Sequence, residues 1–324
     1  MCTSATFSTA TAHYVGRNLD FEMSYNQTVV ITPRNYGFTF RHEPQQNHHY
    51  AMIGMASVVN NYPLYFDATN EYGLSMEGLM YQGNATYFPQ RDGMYNVCSF
   101  EFIPWLLGQC RTVDEAITYL KKTNVCDDNF APELPHSPMH FLMADQQKCI
   151  VIEPDRDGLH YYDNPFGVLT NNPQFPLQQF NMNNYVDLHT KNSDQSFHQS
   201  LDLTYSRGMG TRSLPGGMDS MSRFVKVAFT RAQATDEEDD LKNVSQFLHI
   251  LHSVEQPKGL DEVADRVYEY TIYSSCCNMD TGVYYYTTYY GNQLNAVALH
   301  NVDLDVTTLY SYPFIDQQMV NWQN

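Results

Sequence analysis

The sequence predicts an α+β protein built on two antiparallel sheets with helices packed against them. Three observations lead there. Segments rich in β-branched and aromatic residues come first and helical segments follow, and the order continues as strands, helices, strands, with no βαβ alternation and no repeat of fixed period. The 324 residues are 43% hydrophobic and 17% charged, with 25 Tyr and 18 Phe, enough apolar side chain for a large core and too much for a disordered chain. No shift of composition marks a boundary, so one domain spanning 1–324 is expected.

Each element has a local reason. Cys2 to Phe7, His13 to Arg17, Thr28 to Thr32 and Gly37 to Arg41 read as strands separated by Gly, Asn and Pro. Leu64 to Asp67 and Leu74 to Tyr81 continue the pattern, with the turn sequence Asn70-Glu71-Tyr72-Gly73 between them. A helix is predicted over Phe100 to Cys110. Thr112-Val113-Asp114-Glu115 is a capping box that opens a second one, whose buried stripe is Ala116, Ile117, Tyr119 and Leu120. Strands return at Met139 to Ala144, Cys149 to Glu153 and Leu159 to Tyr162. After a polar stretch from Asn181 to Ser196, helices over about Asp219 to Ala232 and Leu241 to Val254 precede strands at Tyr268 to Ser274, Gly282 to Tyr289 and Asn295 to Leu299. The acidic run Asp236 to Asp240 reads as a solvated linker and helix start.

Composition also excludes functions. With 36 acidic against 18 basic side chains the formal charge is −18, which repels nucleic acid and anionic membrane surfaces. No apolar run approaches the roughly 18 residues of a membrane span, and the N-terminus lacks the pattern of a secretory signal, so a cytoplasmic protein is expected. The seven cysteines are an odd number with no CxxC pair and no zinc spacing, so neither a disulfide framework nor a metal is expected, and no cofactor motif is present.

Cys2 is the unusual cysteine. Removal of Met1 would leave a thiol and an α-amine on one residue. A free α-amine can take the proton of a thiol, whose ordinary value near ~8.5 is close to its own at ~7.7–8.0, and can later return it to a leaving group. Position 2 by itself fits a buried strand cysteine better than a nucleophile. Arg17 and Asp20 lie one hairpin away, where a cation favours thiolate and a carboxylate can hold an amine; a surface ion pair explains them equally well. Asn171-Asn172-Pro173 reads as a turn, and Arg223 as a surface residue of a helix burying Phe224, Val227 and Ala228.

The start Met1-Cys2-Thr3, the segment Gly16-Arg17-Asn18-Leu19-Asp20, the run Val168 to Pro173 and the run Leu214 to Phe224 together resemble the choloylglycine hydrolase family, which comprises bile salt hydrolases and penicillin V acylases. Phe102 to Gln109, Ser253 to Leu260 and Tyr268 to Ser275 extend the similarity over essentially the whole chain, with the pattern nearest to bile salt hydrolases of gut lactobacilli and enterococci. The resemblance implies an N-terminal-nucleophile αββα four-layer sandwich. It implies that Cys2 attacks an amide carbonyl, that Arg17 and Asp20 assist the thiolate and position substrate and α-amine, that Asn171 supplies an amide donor to the oxyanion, and that Arg223 stabilises the site. The backbone N–H of Met80 is implied as the second oxyanion donor. Bile salt hydrolases usually carry Asn where this chain has Met80, and penicillin V acylases often carry Tyr in this region, where Tyr81 is adjacent.

The implied substrate is a small molecule, a glycine- or taurine-conjugated bile salt. The pocket loops implied are Phe21 to Asn26, Asn60 to Phe66 and Asn129 to His136, with Phe21, Tyr25, Tyr62, Tyr65, Phe66, Tyr81 and Phe130 as candidate rings and Arg207, in the segment Ser206 to Gly210, as the candidate partner of the anion. The alternatives are a penicillin V acylase and a non-catalytic amphiphile-binding member. A homo-oligomer, a tetramer by resemblance, is also implied. Of the histidines, His140, His249 and His252 read as structural, and Cys276-Cys277 as packing residues.

Overall fold

The predicted strands assemble into two large sheets lying face to face. The structure is a computed structural model that describes residues 1–191, 198, 200, 201, 203 and 207–324. Its first strands are β1 (Cys2–Ser8), β2 (His13–Phe21), β3 (Thr28–Thr32), β4 (Met52–Val59), β5 (Tyr62–Asn70), β6 (Ser75–Met80) and β7 (Tyr95–Cys98). Helices α1 (Phe102–Leu107) and α2 (Val113–Leu120) lead to β8 (Thr123–Cys126), β9 (Met139–Ala144), β10 (Cys149–Asp155), β11 (Gly158–Asp163) and β12 (Val168–Leu169). Then come α3 (Phe175–Asn181), α4 (Ser220–Gln233) and α5 (Asp240–His252), followed by β13 (Asp261–Ala264), β14 (Val267–Asn278), β15 (Val283–Thr288), β16 (Gly291–Ala298) and β17 (Tyr310–Tyr312).

One sheet runs β12-β1-β2-β14-β15-β16, with β13 attached to β14; the other runs β11-β10-β9-β6-β5-β4-β3-β17. The pairings within both are antiparallel, as the strand-then-helix order predicts. Val15 and Leu19 of β2, Val29 and Ile31 of β3 and Leu142 of β9 meet in the core between the sheets. Phe224, Val227, Val244 and Phe247 bring α4 and α5 onto the outer face of the first sheet, while Phe102, Leu106, Ala116 and Leu120 bring α1 and α2 onto the second. Helices, sheet, sheet, helices is the αββα order. Among the described residues no helix is long and apolar enough to cross a membrane.

Local chemistry accounts for the boundaries. Thr112 accepts from the Glu115 N–H at 3.2 Å, while the Glu115 carboxylate reaches back to the N–H of Arg111 at 2.7 Å, one residue earlier than a closed capping box requires. Asp219 caps α4 and Asp239, from the acidic run, caps α5. Asn60 and Asn61 take φ of 51° and 61°, the left-handed pair that a two-residue hairpin between β4 and β5 needs.

Several expectations need correction. Gly37 to Arg41 forms no strand: Phe38 makes a single bridge to Gln46, and Phe38 and Phe40 are held by burial in the outer core instead. The helix predicted to start at Phe100 starts at Phe102. The sequence missed β4, although Met52–Val59 is an apolar run, and missed the parallel pair β7 and β8, for which α1 and α2 form the crossover. Residues 192–196 of the polar stretch and Ser206 lie outside the described residues.

Within the first sheet the strands β2 and β14 approach closely at Gly16, beside Arg17. A Cβ there would meet the Ser275 carbonyl oxygen on β14 at 2.0 Å. Backbone cannot move aside cheaply, so Gly16→Ala is expected to lower stability by about 1–3 kcal/mol. Urea unfolding checks this, and an unchanged midpoint would show that β14 yields.

Candidate active site

Strand β1 begins at Cys2 and pairs with β2 so that Cys2 lies opposite Leu19 and Ser4 opposite Arg17. That register carries Arg17 and Asp20 to the start of the chain, as the hairpin reading predicts. Arg17 is sealed between the sheets at 1% exposure. Its Nη2 donates to Cys2 Sγ at 2.8 Å, and its Nη1 donates across the sheet gap to the carbonyls of Phe66, at 2.9 Å, and Gly78. Burial opposes this charge, but the facing Cys2, Tyr273, Asp67 and Glu77 outweigh it, so the guanidinium holds its proton more tightly than an ordinary arginine.

The other side of Cys2 is built by Asn171 and Arg223. The Cys2 nitrogen donates to Asn171 Oδ1 at 2.9 Å, and Asn171 Nδ2 donates to the Met80 carbonyl at 2.7 Å, leaving its second N–H uncommitted. Arg223 is fully buried, not a surface residue of α4: it donates to Asn171 Oδ1 at 2.7 Å, to the Met218 carbonyl at 2.8 Å, and to the Cys2 carbonyl and Thr3 Oγ1. Burial pulls its proton affinity down while Asp20, Cys2, Glu269 and Asp219 pull it back. Ser220, the first residue of α4, accepts from the Asn171 N–H at 2.9 Å, which fixes the loop after β12 against that helix.

Met1 is present. Its amino group pairs with Glu269 and donates to the Asp20 carbonyl at 2.9 Å. Asp20 Oδ1 accepts from Thr271 at 2.6 Å, whereas Oδ2 is buried without a partner. Burial raises the carboxyls of Asp20, Glu269 and Glu255 above the usual range. An uncommitted buried carboxylate oxygen beside the chain start is a vacant acceptor of the kind that a released α-amine would fill.

Cys2 opens onto a cavity of about 260 Å³. All three predicted loops reach it, through Phe21 and Tyr25, through Tyr65 and Phe66, and through Phe130 and His136. Tyr25 stacks on Phe21 with centroids 4.9 Å apart. Met80 lines it too. Three predicted contacts do not. Tyr81, one residue on, faces the opposite side of the strand, is fully buried and stacks on His140. Tyr62 stands behind the wall, 5.7 Å from the ring of Phe130, and Arg207 is not on the lining. The sequence missed Phe100, Ile103 and Phe141, which it placed only on predicted elements outside the three loops.

It also missed the carboxyls behind Arg17. Asp67 on β5 is opposite Glu77 on β6. Asp67 accepts from Tyr273 and Tyr284, each at 2.7 Å, while Glu77 Oε2 has no partner. Burial raises both carboxyls, Glu77 further because the Asp67 charge adds to it. Acidic residues in otherwise apolar strands were the available signal. Elsewhere His42, Cys126 and Asp128 lie within 4.8 Å of one another. His42 is already paired with Asp128 at 2.7 Å and burial pushes the Cys126 thiol up to about 11, a protonated thiol and an engaged imidazole.

Comparison with known proteins gives the following. Residues 2–312 match the family described as linear amide C–N hydrolases, choloylglycine hydrolase family. The bile salt hydrolase/transferase of Lactiplantibacillus plantarum is 52% identical over 97% of each chain, and that of Clostridium perfringens 31% identical over 100% of each. A solved mutant of the conjugated bile acid hydrolase from Clostridium perfringens superposes with TM-score 0.92 at 31% identity over both whole chains. The penicillin V acylase from Agrobacterium tumefaciens shares the fold, with TM-score 0.77 at 16% identity over 96% of this chain and 91% of the other.

Glu77 has a raised value in the folded chain, so its contribution to stability is full below the ordinary carboxyl range and is lost as pH rises through the raised value. Gln does not titrate. The stability of Glu77→Gln relative to the parent should therefore shift in favour of the variant between about pH 5 and about pH 8 in urea unfolding. A difference that does not change with pH would show an ordinary glutamate.

Proposed function

The chain belongs to the choloylglycine hydrolase family of linear amide C–N hydrolases, and from that premise we propose that it hydrolyses the amide bond of glycine- or taurine-conjugated bile salts at Cys2. The observation that carries this reading is the Cys2 thiol on the floor of an apolar, aromatic cavity, with a guanidinium N–H on its sulfur. A steroid body suits such walls, and the relatives named above are named for bile salts.

With Met1 removed, the Cys2 nitrogen becomes an α-amine and takes the thiol proton. Sulfur then bonds to the amide carbonyl carbon while the π pair moves to oxygen, where the free N–H of Asn171 and the backbone N–H of Met80 receive it. Collapse breaks the C–N bond, and the ammonium gives its proton to the leaving amine. A thioester remains. Water, deprotonated by the α-amine, adds to it; the C–S bond breaks, and free acid leaves as sulfur regains its proton. Arg17 supports negative sulfur, Asp20 offers its vacant Oδ2 to the amine, and Arg223 holds Asn171 Oδ1 and the Cys2 carbonyl in place.

Met80 replaces the usual Asn of bile salt hydrolases, and this favours penicillin V as the comparison substrate. A backbone donor tolerates the change, whereas the thioether alters the cavity wall. A cytoplasmic location and a homotetramer belong to the same proposal. Exposed Met319, Val320 and Trp322 at the C-terminal end support assembly by offering apolar surface; native mass and cell fractionation test both.

The chain with Met1 shown absent by intact mass should release glycine or taurine from conjugates faster than it cleaves the phenoxyacetyl side-chain amide of penicillin V. Release from none of a conjugate panel would sink the substrate reading. Cys2→Ser should lower turnover by about 1000-fold or more while leaving the unfolding midpoint in place. Undiminished turnover would remove Cys2 from the chemistry.

A further inference from the structure

One imidazole stands behind both arms of the oxyanion site. His140 lies on β9, opposite Leu79 of β6, with Met80 opposite Met139. It is fully buried. Its Nε2 is 2.9 Å from the carbonyl of Thr170, the residue before Asn171, and its Nδ1 is 3.3 Å from Glu153 Oε1. The Glu153 carboxylate also accepts from the Phe175 N–H, at 2.9 and 3.2 Å. The loop that carries Asn171 is thus tied at one end by His140 and at the other by Glu153. Tyr81, next to Met80, lies flat on the same imidazole, with centroids 4.3 Å apart and planes at 8°. The two arms then meet where Asn171 Nδ2 donates to the Met80 carbonyl.

We propose that His140 and Glu153 are positioning residues for amide cleavage, a pair that clamps the Asn171 loop to the strand carrying Met80 and so fixes both oxyanion donors relative to Cys2. This rests on the reading that cleavage takes place at Cys2. Neither residue touches the cavity lining or the sulfur, so their effect passes through Asn171 and Met80.

The proton inventory fits a permanent clamp. A carbonyl oxygen only accepts, so Nε2 must carry hydrogen. One further proton lies between Nδ1 and Oε1, and with it the pair is neutral overall, whichever atom holds it.

The reach of the side chain provides the test. The amide nitrogen of Gln takes the place of Nε2, and that of Asn the place of Nδ1. In His140→Asn the Thr170 contact is lost, and kcat on a conjugated bile salt should fall by about 10- to 100-fold with KM within about threefold, short of the ~100- to 1000-fold that deleting a donor outright costs. His140→Gln should stay within about threefold of the parent. The rate at which iodoacetamide alkylates Cys2 should be unchanged in both, because Arg17 still contacts the sulfur. Equal kcat for Asn and Gln, a loss confined to KM, or slowed alkylation would overturn the clamp.

Two readouts need neither turnover nor the Asn variant to fold. Hydrogen exchange at residues 174–176 should be faster in His140→Gln than in the parent, since the Glu153 side of the clamp is broken, while residues 168–171, still tied at Thr170, exchange as in the parent. In the nitrogen-15 histidine spectrum of the parent, the His140 signal, found by its absence in His140→Gln, should show Nε2 protonated throughout the active pH range. Unchanged exchange, or an unprotonated Nε2, would reject the proposal. A parent chain that cleaves no conjugate while these results hold would reject the substrate reading alone.

Discussion

Arg17 carries a positive charge into the space between two sheets, where water does not reach it, and much of the structure answers to that charge. Stranding one partner of a buried ion pair costs about 3–5 kcal/mol, so the guanidinium is tolerated only because acceptors surround it. Those acceptors come from both sheets: the Cys2 sulfur beside it, and the Phe66 and Gly78 carbonyls on the facing sheet. A sideways slip of one sheet over the other would break these contacts together. The same residue therefore aligns the sheets and fixes the sulfur against the cavity floor.

Behind it, Asp67 and Glu77 lie opposite each other on neighbouring strands. Two tyrosine hydroxyls donate to Asp67, and burial raises both carboxyls, Glu77 further because the Asp67 charge adds to it. The result is a site whose net charge is set locally. The overall −18 opposes the approach of an anionic substrate, and the cations closest to Cys2, Arg17 and Arg223, are both sealed and committed to protein partners. Attraction for an amphiphile must then come mainly from the aromatic walls, and the buried cations serve the sulfur and the backbone around it.

A comparable division runs through the loop after β12. Ser220 and Arg223 tie Asn171 to α4, while His140 and Glu153 tie the same loop to the opposite sheet. The oxyanion role proposed for the Asn171 amide demands such anchorage, because a donor displaced by an ångström contributes little. Both anchorages include fully buried charged or polar side chains, Arg223 in one and His140 and Glu153 in the other, which restrict the loop at the cost of desolvation.

Much of this was legible in the sequence. The order of strands and helices, the cap Thr112, the helix start at the acidic run Asp236 to Asp240, and the proximity of Arg17 and Asp20 to Cys2 follow from periods and turns over a few residues, and local chemistry is enough to set them. The motif pattern pointed to the family and to Asn171 and Arg223, residues that read alone as a turn and a surface helix position. Tertiary structure decided the rest, because the deciding contacts join residues far apart in the chain. Arg223 is buried because the start of β1 lies across it, and Tyr81 leaves the cavity because the sheet pleat sends Met80 one way and its neighbour the other. Asp67, His140 and Glu153 meet Tyr273 and Tyr284, Thr170 and Phe175 only when the two sheets close. The sequence by itself determined most of the elements and singled out Cys2 as the candidate thiol; burial between sheets, which no local pattern encodes, decided which charges are held and what they hold in place.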